Sequence, residues 1–355
     1  MTIEETIARI SHPDAAIAAE VQRALDVKTK PRRSLGRLEA LAVQVAAIRG
    51  LLRPALPVKA LVVMAGDHGV VAEGVSAYPP EVTGQMLLNF AAGGAAINVL
   101  ARQVGAELVV VDMGVKSPVP ETAPGARTIR RERIGPGTAN FALGPAMTRA
   151  QMATAVATGI RIAAELAAKG VTLIGIGEMG IGNSTAASAT CAALLGLPPA
   201  EVVGRGTGVD DEGLRRKTEV IERALAVNRP ERSDPLDVLA KVSGFEIAGL
   251  CGVVLGAAAA RVPVVCDGFI ASAAALAAAR RAPNVAGFLI GGHRSTEPGH
   301  ARVLESLRLR PLLDLEMRLG EGTGAALAMV LVEAAVRVLA EMATFDSAGV
   351  SDSGR

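Results

Sequence analysis

VTLIGIGEMGIGNSTAA, residues 171 to 187, passes from a β-branched apolar run through a glycine-rich turn into small residues that suit a helix. Strand, tight turn and helix in that order form the repeating unit of a parallel sheet. Four other runs open in the same way: ALVVMAG from Ala60, ELVVVDMG from Glu107, VPVVCDG from Val262 and VAGFLIGG from Val285. Continuous apolar strands are buried on both faces, so the sequence predicts an α/β fold with a parallel sheet flanked by helices. Ligands bind such sheets at the carboxyl ends of the strands. Here those ends carry Asp67-His68, Asp112, Glu178, Asp267 and His293-Arg294.

Outside the strand region the pattern is helical. Residues 15–27 (AAIAAEVQRALDV) and 34–49 (SLGRLEALAVQVAAIR, closing on Gly50) read as two helices separated at Lys30-Pro31, and AALAMVLVEAAVRVLAEM from Ala325 reads as a third, strongly apolar one. Residues 1–55 and 301–355 are therefore expected to form a small helical domain against an α/β domain of residues 56–300. The Pro/Gly/Arg-rich stretch from Val115 to Thr148 reads as a long connection with one strand pair, its Arg130, Arg131 and Arg133 forming a solvated face.

Half of the 355 residues are apolar, yet there are only six Phe, one Tyr and no Trp, so the interior must be built from Ala, Val, Leu and Ile. Nucleic-acid binding by base stacking has little to work with. A net charge of +2 with interspersed signs gives no electrostatic case for a polyanion or a membrane surface. Cys191, Cys251 and Cys266 lie far apart in apolar stretches without a CxxC pair, as expected of inert thiols in a reducing compartment. The first residues lack the basic-then-apolar pattern of a signal peptide, and the longest uncharged apolar run, Ile247 to Ala260, is shorter than the ~18 residues of a membrane span. The expected location is the cytoplasm.

Two glutamates sit inside glycine-rich turns, Glu178 in GIGEMGIGNSTAA (175–187) and Glu321 in RLGEGTGAALA (318–328). Such turns collect phosphate on helix N-termini, and a carboxylate beside a phosphate repels it. A substrate with phosphate at one end and a cationic or proton-donating group at the other reconciles the two features. Gly175, Gly177 and Gly180 match GxGxxG, but the region where a dinucleotide fold places its ribose-binding acid is the proline-broken LGLPPAEVVGRGTG. An NAD(P)-dependent oxidoreductase is therefore a minor alternative, and tight strand-to-helix packing is the plainer explanation of the glycines. The helix start around Asn183, Ser184 and Thr185 suits one phosphate. In GRGTGVDDEGLRRK (204–217), Lys217 either reaches that phosphate or faces solvent, while Asp210, Asp211 and Glu212 suit a helix first turn. Asp67 and His68 carry the other alternative, a metal-dependent hydrolase, although the four histidines form no HxH or HxxxH pair. Ser76, Tyr78 and Gln85 offer hydrogen-bonding groups beside Pro79-Pro80. Glu321 precedes an apolar helix, where desolvation would make it a better base, or it simply caps that helix.

These motifs resemble, in order over nearly the whole chain, the nicotinate-nucleotide:dimethylbenzimidazole phosphoribosyltransferases: KPRRSLGRLE, AGDHGVVAEGVSAYPPEVTGQM, GGAAINVLAR, GIGEMGIGNSTAASA, GRGTGVDDEGLRRK, CDGFIASAAALAA, GGHRSTEPGH, GEGTGAALA and ATFDSAGVSD. The resemblance implies a Rossmann-like large domain, a small domain from both chain ends, and a homodimer whose partner subunit helps form the site. It implies transfer of phosphoribosyl from nicotinate mononucleotide to a benzimidazole, with no metal or cofactor. It places the catalytic base on Glu321 and a companion acid on Glu178. Substrate contacts fall on Gly177, on Gly180, Ile181, Gly182, Asn183 and Ser184 with Lys217, on Ser76, Tyr78, Gln85 and Leu319 toward the base, and on Asp267 and His293. Two positions depart from the family pattern: Arg33 stands where Gly is usual, and Gly292 where Ser is usual. A nucleotide-binding protein without catalysis is the remaining competing class.

Overall fold

A computed structural model describes residues 1–117, 129–206 and 208–352. Its strands are β1 (Lys59–Gly66), β2 (Ala106–Gly114), β3 (Arg130–Arg131), β4 (Leu173–Met179), β5 (Val264–Cys266) and β6 (Leu289–Gly291). They pair in parallel in the order β3-β2-β1-β4-β5-β6. Strand order reverses between β1 and β4, so the crevice beyond their carboxyl ends is the topological switch point, where ligands of such sheets bind. Met64 lies opposite Glu178 and Ala65 opposite Met179 in that pair.

Alternation along the strands divides the interior into two cores. Ala60, Val62 and Met64 point to a core shared with the helices Arg149–Ala168, Asn183–Leu195, Phe245–Ala259 and Phe269–Arg281. Leu61, Val63 and Ala65 point to the other, shared with Ala15–Asp26, Arg37–Arg49, Ala96–Val104 and Thr323–Glu341. The shortage of aromatics shows in how closely backbones approach. A Cβ on Gly159 would lie 1.9 Å from the Gly249 carbonyl oxygen, and one on Gly252 would lie 2.0 Å from that of Val156. Only glycine permits two helices to meet at that distance.

Helices from both chain ends meet over one face of the sheet and share its core. The termini are joined by backbone hydrogen bonds from Thr29 N–H to Ala343 O (3.1 Å) and from Phe345 N–H to Val27 O (3.1 Å). The helix Thr323–Glu341 has the length and hydropathy of a membrane span, a property that a count of uncharged residues hides because the helix contains Glu333 and Arg337. It is a packing element here, with Ala325, Met329, Val332 and Val336 fully buried. All three cysteines are buried free thiols, and burial pushes each thiol pKa up.

Two expectations change. Val285–Phe288 belongs to a short 3-10 turn begun at Pro283, so only Leu289–Gly291 of VAGFLIGG is strand. Within the 115–148 connection, residues 118–128 lie outside the described residues, and the described part carries a single two-residue strand rather than a pair. Its arginines are partnered rather than merely solvated. Arg130 grips Glu165 through both terminal nitrogens (2.6 and 3.1 Å) and Glu132 through Nε (2.7 Å). Arg133 donates to Val115 O at 2.7 Å. Charged side chains on a short edge strand discourage pairing with another chain.

Candidate active site

The first glycine turn begins where β4 ends. Gly180 passes so close to β1 that a Cβ on it would lie 2.4 Å from the Gly66 carbonyl oxygen, and Gly182 starts the helix Asn183–Leu195 from a left-handed φ of 90°. Ile181 N–H is held by Thr83 Oγ1 at 3.1 Å. Glu178 is buried at this turn and accepts a hydrogen bond from the Asn183 side-chain amide. Burial raises its carboxyl pKa well above the ordinary range. The negative charges of Asp267, Glu246 and, more weakly, Glu321 add to the rise against the Asn183 amide.

The second turn is tighter. Gly320, Glu321 and Gly322 all have positive φ, at 86°, 63° and 90°. Glu321 is the one residue of the three with a side chain, and left-handed backbone is costly for it. Its N–H donates to Glu178 O at 3.2 Å, which joins the two turns directly. A Cβ on Gly177 would lie 2.3 Å from Gly322 N, so the contact is backbone on backbone. Glu321 Oε2 accepts from Ile97 N–H, at the start of the helix Ala96–Val104, at 3.4 Å. Burial raises the Glu321 pKa; the Ile97 hydrogen bond opposes this and the Asp267 charge reinforces it.

Both glutamates face one cavity of ≈ 620 Å³. Its lining includes Gly182, Asn183, Ser184, Gly206 and Arg318, with Lys217 buried immediately behind Ser184 and the Glu297 carboxylate accepting from Gly206 N–H at 3.0 Å. Lys217 Nζ donates to Ser184 Oγ (3.1 Å) and to Gly204 O (2.8 Å). Burial lowers its pKa to about 8, against the pull of the Glu297 charge. Elsewhere the wall is apolar, from Val75, Val82, Met86, Ile270 and Leu319, with Ser76 and Tyr78 adding polar groups. One concave site therefore combines a helix N-terminus with nearby cations, two buried carboxylates and an apolar slot.

A phosphoribosyltransferase family model (DBI_PRT) matches residues 10–350. A nicotinate-nucleotide–dimethylbenzimidazole phosphoribosyltransferase of Roseiflexus sp. (strain RS-1) is 58% identical over 349 residues, 98% of each chain. The chain belongs to the nicotinate-nucleotide–dimethylbenzimidazole phosphoribosyltransferase family. An enzyme of the same name from Chloroflexus aggregans is 55% identical, covering 99% of this chain and 98% of its own. The crystal structure of CobT from Thermus thermophilus superposes with a TM-score of 0.90 at 51% identity, over 95% of this chain and 99% of that one.

Of the residues the family resemblance singled out, the cavity is lined by Glu178, Gly180, Ile181, Gly182, Asn183, Ser184, Ser76, Tyr78, Leu319 and Glu321. Gln85 is exposed and outside the lining, and Gly177 is spent on the contact between turns. Lys217 stands one layer back. Asp267 and His293 are both buried outside the lining, with the Asp267 carboxylate turned to the helix Thr323–Glu341. Arg318, Glu297 and Ile270 line the cavity and were missed, since their motifs show no chemistry until the loops converge.

Both alternative readings lose their structural basis. Gly175 and Gly177 lie inside β4, where Cβ atoms would strike Leu61 and Met329 or the Glu321–Gly322 backbone, so the GxGxxG match is helix-on-sheet packing. His68 Nε2 is 2.7 Å from Glu246 Oε1, and Asp67 Oδ2 accepts from Lys116 N–H at 2.6 Å. The two departures from the family pattern also acquire physical sense. Arg33 has φ 59°, a conformation glycine adopts freely. A Cβ on Gly292 would lie 2.6 Å from Cys266 O and 3.3 Å from Gly324 O, behind the Glu321 turn and outside the cavity lining.

Proposed function

We propose that this protein transfers the 5-phosphoribosyl group of nicotinate mononucleotide to 5,6-dimethylbenzimidazole, releasing nicotinate and forming α-ribazole 5'-phosphate for the lower-ligand nucleotide of cobalamin. The observation that carries the residue roles is the meeting of Glu178 and Glu321 on one cavity that is also lined by the helix N-terminus at Gly182–Ser184 and by Arg318. The substrate phosphate sits on the Gly180–Ser184 turn, with Lys217 behind it and Arg318 beside it. Dimethylbenzimidazole occupies the apolar slot between Met86, Ile270 and Leu319.

One ring nitrogen of the base attacks C1' from the face opposite nicotinate, so the β-linkage becomes α. The pyridinium C–N bond breaks as the new C–N bond forms, and its electron pair neutralises the departing ring. The leaving group needs no proton. The second ring nitrogen of the base gives its proton to Glu321, while Glu178 stabilises positive charge developing on the ribose. One C–N bond replaces another, so the step is redox-neutral and balances without a co-reactant.

The same reading extends to assembly, domains and location. Tyr78 and Leu319 at the cavity are 53% and 58% exposed, which suits a mouth covered by a second copy of the chain in a homodimer. Residues 1–55 and 301–355 act as the small helical domain beside the α/β domain of 56–300, and three buried free thiols suit the reducing cytoplasm. The decisive assay supplies nicotinate mononucleotide and a panel of bases to the purified protein and measures nicotinate and nucleotide product. Binding of nicotinate mononucleotide without base-dependent nicotinate release would overturn the reading.

A further inference from the structure

The helix Thr323–Glu341 begins with the same glycine-rich device as the helix Asn183–Leu195, so it too ought to attract an anion. That position is taken from within. Asp267, just beyond β5, accepts from Gly322 N–H with Oδ2 (3.0 Å) and from Gly324 and Ala325 N–H with Oδ1 (2.6 and 3.1 Å). His293 Nε2 lies 3.5 Å from Asp267 Oδ1, and the ring packs against Gly324, where a Cβ would come within 2.0 Å of it. Both side chains are almost completely buried.

We propose that Asp267 is a positioning residue of the transfer reaction: by filling the N-terminus of the helix Thr323–Glu341 it holds Glu321 in its left-handed turn and denies that helix end to the substrate phosphate. Glu321 has φ 63° and is followed at once by Gly322, whose N–H is bonded to Asp267. A residue in that conformation persists only where its surroundings over-determine it. Three bonds from one carboxylate, the Glu321 N–H bond to Glu178 O and the Gly177 contact supply that determination. Two helix starts thereby acquire different duties, one for the substrate and one for the catalytic side chain.

Asp267 also acts through charge. The ionisable groups around Glu321 are Glu178 from β4, Asp267 from just after β5 with His293 on it, and Arg318 from its own loop; Glu246 reaches Glu178. Removing the Asp267 charge takes one repulsive neighbour from Glu321, so Glu321 ionises at lower pH.

This inference rests on Glu321 as the proton acceptor, and the test separates the two. Asp267→Asn is expected to lower kcat at least about tenfold, the order expected when a catalytic group is displaced. The KM for nicotinate mononucleotide should change less than about twofold, and the acid limb of the kcat–pH profile should move to lower pH. The double variant Asp267→Asn/Glu321→Gln should be no slower than Glu321→Gln alone. Multiplying defects, or a KM effect as large as the kcat effect, would make Asp267 an independent substrate contact and overturn the proposal. Full activity of Glu321→Gln would instead overturn the base assignment. Because Asp267→Asn risks misfolding, hydrogen exchange in the wild-type protein gives a second reading. The Gly322, Gly324 and Ala325 amides should keep their protection unchanged when nicotinate mononucleotide or inorganic phosphate saturates the enzyme. New protection at those three amides would show the anion on the wrong helix.

Discussion

The turn after β4 and the turn before Thr323 are built alike. Each places a glutamate in a glycine-rich run, and each starts a helix from a glycine at φ 90°, Gly182 in one and Gly322 in the other. They differ in what meets the helix end. Gly182 and Ser184 open onto the cavity, the Asn183 N–H being bonded to Gly180 O (3.1 Å), whereas the amides of Gly322, Gly324 and Ala325 are consumed by Asp267. A glycine-rich helix start is therefore an anion site only where the protein leaves it open. The difference explains how Glu321 sits in a phosphate-collecting turn: the amides of its turn serve Asp267, and the phosphate goes to the other turn.

The strongest way to break that division is to exchange the glutamates for amides. Glu321→Gln should lose ~100 to 10,000-fold in kcat, the usual worth of general-base help, and bind nicotinate mononucleotide as before. In the wild-type enzyme kcat should fall as pH falls through the raised Glu321 pKa, so the acid limb lies above the ordinary carboxylate range. Glu178→Gln should also slow turnover yet retain an acid limb, because Glu321 still sets it, with the loss of a neighbouring negative charge moving that limb toward lower pH. Normal turnover by Glu321→Gln, in a pre-steady-state assay with saturating base, would end the assignment.

Next in size is the contact between the turns. Gly177→Ala brings a Cβ to 2.3 Å from Gly322 N and 2.5 Å from Glu321 C, and neither backbone has room to retreat. Overpacking of this kind costs ~1–3 kcal/mol of stability. Moving Glu321 by even a fraction of an ångström should lower kcat by about tenfold or more. Gly144→Ala, at a position with open space around it, should stay within ~0.5 kcal/mol and serve as the control in urea unfolding. Equal effects from the two substitutions would mean that the turns need not be in contact.

The phosphate turn has its own pH signature. Lys217, with a folded pKa of about 8 against an ordinary 10.5, carries its charge below pH 8 and loses it above. Affinity for nicotinate mononucleotide should therefore weaken as pH rises through 8. Stability should move the other way: between the folded and unfolded values the unfolded chain binds more protons, so this group makes folding more favourable as pH rises. Lys217→Met should abolish the pH dependence of the Kd, measured by calorimetry from pH 7 to 9.5. A Kd that rises equally in the variant would remove Lys217 from the phosphate site.

The contrast between the turns also measures what was legible beforehand. Apolar runs ending in polar residues marked the strands and the edge that carries the site, because burial on both faces leaves an unmistakable composition. Glu178, Glu321 and the Gly180–Ser184 turn were visible as local oddities. What stayed hidden was long-range. Asp267 looked like one more strand-end acid until its carboxylate was seen on a helix that begins 56 residues later, at Thr323. Arg318 and Glu297 lie in motifs that show no chemistry of their own and line the cavity only because loops distant in sequence converge there. Short-range spacing encodes turns and strands, but not which helix end a buried acid will choose.

The smallest expected effect compares Glu321 with Arg33, two side-chain-bearing residues held at nearly the same left-handed φ, 63° and 59°. Such a conformation costs roughly 1–2 kcal/mol for a residue with a Cβ. At Glu321 the strain sits in the cavity wall and holds a carboxylate in place; at Arg33 it lies in an exposed loop, where the family pattern has glycine. Glycine would relieve the strain but adds roughly 0.5–1 kcal/mol of chain entropy to the unfolded state. Arg33→Gly should therefore stabilise the protein by no more than ~1 kcal/mol, seen as a small rise in the urea midpoint, with kcat and KM unchanged. A lower midpoint would mean that Arg33 makes contacts worth more than its strain.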